Sequence, residues 1–118
     1  MLEKILTLLE NKDYIKLRST LAEINAPDIA VILEELPNEQ VLRLFRFLPK
    51  ELAAEAFVEM EPETQEHLIS AFTDKELHDV LDEMFLDDTV DIIEEMPANV
   101  VKRILRQSDP ETRSEKTY

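Results

Sequence analysis

One spacing dominates the chain from Ile24 to Ser108: apolar residues recur every 12 positions. Ile24, Leu36, Leu48, Met60, Phe72, Met84 and Met96 share one register. Leu33, Phe45, Phe57, Ile69, Leu81, Ile93 and Leu105 share a second. Ile32, Leu44, Ala56, Leu68, Val80, Ile92 and Ile104 share a third. Within one unit, Ile29, Ile32, Leu33 and Leu36 follow the i, i+3, i+4, i+7 rule of an amphipathic helix. Each unit is therefore one short helix and a break. Nucleation is costly, and isolated helices become even marginal only near ~12–15 residues. The stripes must be buried against one another, as in a helical repeat.

The expected fold is all-α: a right-handed superhelix of short helical hairpins, armadillo-like, in one domain over residues 1–110. Leu2 to Glu10 reads as a first helix, ended by Asn11, Lys12 and Asp13. Asp13 is a plausible N-cap for a second helix running to about Ile24. These two helices keep the period poorly, so residues 1–25 read as the cap of an array that occupies 26–108. Pro27, Pro37, Pro49, Pro62, Pro97 and Pro110 recur at unit boundaries, where each opens a helix and blocks extension of the one before. Thr73 stands where a proline could, and with Glu76 it forms a capping box. The expected helices are Pro27–Leu36, Asn38–Leu48, Lys50–Met60, Pro62–Phe72, Asp74–Met84, Asp87–Met96 and Ala98–Gln107. Residues 111–118 form a polar tail that reads as frayed.

Composition removes several function classes. Gly and Cys are both absent. Phosphate-cradling loops need close backbone approach and positive φ, so a P-loop or Rossmann enzyme is disfavoured. Thiol catalysis, thiolate-bound zinc and disulfides are excluded. The formal net charge of −14 repels nucleic acid and anionic lipid and attracts cations and basic protein surfaces. No run approaches the ~18 apolar residues of a transmembrane helix. The serines and threonines have no adjacent histidine, and no catalytic constellation emerges. His67 and His78 are not at matched metal-ligand spacing.

The face opposite each stripe carries the remaining candidates. At 100° per residue, the outward position is Val31, repeated at Arg43, Glu55, His67, Asp79, Asp91 and Arg103. The segment from Phe85 to Met96 is unusual, with Asp87, Asp88, Asp91, Glu94 and Glu95 and no Lys or Arg. Asp87 and Asp91 are i, i+4 neighbours, and Glu94 or Glu95 continues the ridge. Like charges at that spacing destabilise a helix slightly unless something neutralises them. The helix dipole favours Asp87 and Asp88 at the N-terminus. A hard divalent cation would neutralise Asp91; Mg²⁺ prefers oxygen ligands and commonly takes one or two protein carboxylates. The alternatives are such a site, or N-terminal acids on a solvated face. Glu51, Glu55 and Glu59 make a second acidic ridge open to the same two readings. Arg43, Arg46 and Lys50 form the main basic patch, which either balances nearby acids or docks an acidic partner.

Three segments carry a family resemblance: APDIAVILEELP from Ala26, FRFLPKELAAEAFVEME from Phe45 and MFLDDTVDIIEEMP from Met84. In order and at these separations they resemble the cytosolic N-terminal domain of MgtE-type magnesium transporters. The family commonly has His before the first Pro-x-Asp turn, where this chain has Ala26, so the resemblance places no metal role there.

The resemblance implies a regulatory, non-enzymatic Mg²⁺-sensing domain on the cytoplasmic face of the membrane. It implies docking on CBS domains of the same transporter when Mg²⁺ is high, which favours pore closure, in a protein acting as a homodimer. By motif position, Asp87 and Asp91 look like metal contacts and Glu55 a third, with Asp88 and Glu94 as flanking candidates. Neither CBS domains nor a pore lie within this chain, so it is expected to be an excised piece or a stand-alone relative. Flagellar motor switch proteins are the nearest confusable family. They would make the chain a metal-independent scaffold, using Arg43 and Arg46 to bind a partner.

Overall fold

The computed structural model of the chain describes residues 1–107. Among them are nine α-helices and no strand: α1 (Leu2–Glu10), α2 (Tyr14–Ala22), α3 (Ala26–Glu34), α4 (Asn38–Phe45), α5 (Lys50–Glu59), α6 (Pro62–Ala71), α7 (Asp74–Glu83), α8 (Leu86–Glu95) and α9 (Ala98–Gln107). The expected all-α class and the expected order of short helices are both observed. The helices fall into two compact units, Met1–Glu59 and the part that begins at Met60. In the first, α1 packs on α2, and α3 packs on both α4 and α5. In the second, α6 and α7 pack on α9. Pro110 and the polar tail lie outside the described residues.

The three apolar registers behave as their spacing demands. The third is buried along its whole length, from Ile32 to Ile104. The second is buried from Leu33 to Ile69, then half-buried at Leu81, Ile93 and Leu105. A fourth register emerges in the structure. Ile29, Val41, Ala53, Gln65, Leu77 and Thr89 are all buried. Two polar members disguise it in the sequence. Thr89 is accommodated because its hydroxyl donates to the Phe85 carbonyl at 3.3 Å, one turn back.

Turn chemistry explains how the chain manages without glycine. Helices α6, α7 and α8 end on Phe72, Met84 and Met96, whose backbones are extended (ψ 145°, 150° and 151°). The next residue caps the following helix, so no positive φ is needed. Those corner residues are the first apolar register, and Phe72 is almost wholly buried. The side chain that turns the chain also anchors the turn in the core. The N-caps follow the expected logic at three places. Asp13 accepts from the Lys16 amide at 3.4 Å, Asn25 from the Asp28 amide at 3.0 Å, and Thr73 and Glu76 form the reciprocal capping box. Pro37 is itself the N-cap of α4, and Pro62 opens α6. Most helices end one to three residues before the apolar residue that the spacing put at their end, because that residue is the corner.

Lys12 is the exception among the described residues, with φ 59°. Its amide donates to Leu9 O at 3.2 Å and the next amide, of Asp13, to Leu8 O at 3.0 Å. This double bond pattern closes α1 in a Schellman motif, whose left-handed position ordinarily takes glycine. Lys12→Gly should therefore stabilise the protein, by about 0.5–1 kcal/mol once the greater freedom of the unfolded glycine is set against the relieved strain. The midpoint of urea unfolding would rise; a fall would show that the Lys12 side chain matters more than its backbone.

Arg103 departs from the outward position the spacing gave it. It is half-buried, and its guanidinium donates to the carbonyls of Ile69 and Phe72, closing the end of α6. Asp74 Oδ1 lies 3.2 Å from Nη2. Two orphan carbonyls at a helix C-terminus and a positive charge satisfy each other. Arg103→Ala should cost about 1–3 kcal/mol, the range for leaving part-buried acceptors unpaired. Arg103→Lys should recover only part, because an ammonium lacks the planar fork that reaches both carbonyls. Equal stability of all three proteins in thermal unfolding would refute the capping role.

Candidate functional site

Helix α8 carries the strongest candidate residues. Its N-cap, Phe85, makes no side-chain capping bond, so the free amides of the first turn rely on Asp87 and Asp88 for compensation. Thr89 and Ile92 face the core. That rotation leaves Asp87, Asp91, Glu94 and Glu95 exposed and Asp88 half-buried. The i, i+4 pair Asp87 and Asp91 thus forms one solvent-facing ridge, as expected, and Glu94 lies one turn further on. No Lys or Arg occurs in the helix to offset it.

The other candidates divide between the two units. Glu55 is exposed on α5, in the first unit. Arg43 and Arg46, at the end of α4, are exposed in the same unit. Of the outward positions, Val31, Arg43, Glu55 and Asp91 are indeed exposed. His67, Asp79 and Arg103 are half-buried instead. Asp79 pairs with Lys75 at 3.4 Å, one turn before it on α7. His78 Nδ1 lies 2.9 Å from the Gln107 carbonyl, tying α7 to the end of α9.

One acidic hollow was not foreseen. Glu94 and Glu95, at the end of α8, border an open depression of about 370 Å³ together with Glu63 and Glu66 of α6. Pro62, Met96 and Pro97 complete its wall. The two glutamate pairs are about 30 positions apart, a separation that reveals nothing until the helices are packed.

The donor set limits what these residues can hold. Among the described residues, no group of three or more His, Asp or Glu side chains is gathered closely enough to hold one ion. Zinc or copper would require a closed, nitrogen- or sulfur-bearing set. Mg²⁺ keeps most of its water and accepts one or two carboxylates, so Asp87 and Asp91 fit it as a partial site. The remaining ligands would be water or groups of a docked surface.

Three apolar side chains in the first turns of α8 and at its N-cap escaped the sequence reading. Phe85 is 80% exposed, Leu86 45% and Val90 38%. The available signal was their absence from every buried register.

Comparison with known proteins identifies the family and the fold. The family model of the MgtE intracellular N domain matches residues 24–117. Among solved structures, the chain is similar to the crystal structure of the cytosolic domain of the Mg²⁺ channel MgtE in complex with ATP, with 29% identity and a TM-score of 0.83. The match covers 98% of this chain and 48% of that one, so the chain spans about half the length of that structure. No curated protein sequence matches the chain. Among the described residues, no helix is long and apolar enough to cross a membrane. With most of its length matched, and with the helix order and fold to go with it, the chain belongs to the MgtE intracellular N domain family.

Proposed function

We propose that this chain is a regulatory domain that senses intracellular Mg²⁺ for a magnesium transporter. It docks on the CBS domains of that transporter when Mg²⁺ is high, and docking favours the closed pore. The observation that carries the proposal is the exposed, uncompensated Asp87–Asp91 ridge on α8 in a member of this family. Apposing two acidic surfaces costs several kcal/mol. A divalent cation held between them removes that cost and adds contacts of its own. Metal binding and docking are then linked, each strengthening the other by the same factor. Asp87 and Asp91 supply the metal contacts from this side, with Asp88 and Glu94 shaping the local field. Glu55, exposed in the first unit, is a separate candidate contact. The domain by itself holds only part of the ligand set, so it binds Mg²⁺ weakly and tightly only when docked.

Two measurements test this reading. The first is an NMR amide titration of the isolated chain with MgCl₂, set against NaCl at matched ionic strength. Shifts confined to residues 87–95 and specific to Mg²⁺ are expected. Identical, diffuse shifts with both salts would reduce the ridge to generic screening and favour a metal-independent scaffold. The second is Asp91→Ala in the full-length transporter. The Mg²⁺ concentration needed for closure should rise about tenfold, equivalent to ~1.4 kcal/mol of lost coupling. Closure at the wild-type concentration would remove Asp91 from the site.

A further inference from the structure

Helix α2 differs in charge from most of the chain. Among the described helices only α2 and α9 contain no Asp or Glu, although the net charge is −14. In α9 the Arg103 guanidinium is occupied by the carbonyls that end α6. In α2 neither the Lys16 nor the Arg18 side chain pairs with a carboxylate of the described residues, and both residues are exposed.

The same helix carries apolar surface that its packing does not use. Leu17 and Leu21 are its buried positions. Ile15, Arg18, Ser19 and Ala22 follow the i, i+3, i+4, i+7 spacing along another face, and all four are exposed. Ile15 is 85% exposed, more than any other large apolar residue described. With Tyr14, these four line an open hollow of about 480 Å³ in the first unit. The Tyr14 ring is stacked on Phe47, with centroids 5.0 Å apart and 26° between planes, so that part of the lining is held in place by the fold itself. Ser19 and Ala22 are small, and small contact residues let two helices approach closely. A single exposed isoleucine would be ordinary surface. Here it borders a hollow, a held aromatic ring and two unpaired cations.

We propose that this face of α2 docks an amphipathic protein helix whose apolar stripe is flanked by Asp or Glu. The stripe covers Ile15 and the exposed part of Tyr14, and the acids meet Lys16 and Arg18. Charge selects this occupant. A second copy placed face to face would set Lys16 and Arg18 against themselves, within two chains of net charge −14. Salt screens charges beyond about 8 Å, so a short acidic segment responds to the two nearby cations. An anionic membrane spread across the domain would also face its many acids. This surface shares no residue with the α8 ridge, precedes the residues matched by the family model, and does not depend on the metal-sensing reading.

The test uses the whole chain with a chelator present, so that no divalent cation bridges acidic groups. Fluorescence anisotropy at physiological salt follows three labelled peptides of equal length. One is an amphipathic helix of leucine and glutamate, the second a scrambled version without a stripe, and the third oligoglutamate. The first should bind, and the other two at least tenfold more weakly. Its amide shifts should map to residues 14–22. Ile15→Gln and Arg18→Gln are the decisive variants, because glutamine is a good helix former and both positions are exposed. Each should weaken the leucine–glutamate peptide at least fivefold with an unchanged unfolding midpoint. No binding of that peptide, equal affinity of the variants, or equal binding of the scrambled peptide would each overturn the proposal. So would binding to phosphatidylserine vesicles, or a dimer of the chain, that Ile15→Gln abolishes.

Discussion

None of the nine helices among the described residues is long enough to be stable on its own, and this single fact shapes the chain. Each spans eight to ten residues, below the length at which isolated helices persist in water. Their order comes from burying one stripe per unit against neighbouring units. The stripe is regular because each unit must present the same positions to the next. The third register illustrates the demand: it holds Ile32, Leu44, Ala56, Leu68, Val80, Ile92 and Ile104, and all seven are buried. Stability in such an array accumulates through contacts between neighbours.

The same constraint decides how the chain turns. A helix of ten residues within a 12-residue period leaves two for the connection. Two extended residues suffice when one belongs to the end of a helix and the other to the start of the next, as at Phe72–Thr73 and Met84–Phe85. Extended backbone is open to any residue, so the corner could be assigned to Phe or Met and used to fill the core. Glycine is dispensable under that arrangement. Where α1 instead closes through a left-handed residue, the chain places Lys12 there and accepts the strain.

Much of this was legible before any coordinate. Period, helix order, the Asp13 and Thr73 caps and the buried stripes all follow from local rules that a sequence displays directly. The fourth buried register was harder to see because Gln65 and Thr89 are polar, and burying them depends on partners such as the Phe85 carbonyl that exist only after folding. Arg103 was misread for a related reason. Its spacing is that of an outward residue, but a long side chain can fold back onto carbonyls about thirty positions earlier. The meeting of Glu63 and Glu66 with Glu94 and Glu95 was equally hidden, being set by packing rather than by period. At the candidate site the reading was more complete. Asp87 and Asp91 share an exposed ridge as their spacing requires, since i, i+4 geometry needs nothing beyond the helix itself.

A repeat array also offers a way of separating structural residues from functional ones within one chain. Units that perform the same structural task should carry similar residues at equivalent positions. A departure that structure does not require calls for another cause. Thr73 replaces proline at a helix start, but its hydroxyl caps the helix, so structure accounts for it. Thr89 replaces an aliphatic residue, and its hydroxyl finds a carbonyl. Phe85 replaces a polar or proline residue and caps through its backbone alone, its side chain receiving neither a capping bond nor burial in return. The acids beside it follow the same logic: Asp87 helps the helix dipole, but Asp91 and Glu94 lie beyond the first turn, where that benefit has faded. The residues of α8 that the fold does not account for are therefore both apolar and acidic, and they share one exposed face. The acidic ones are the residues on which the proposed metal-sensing role rests.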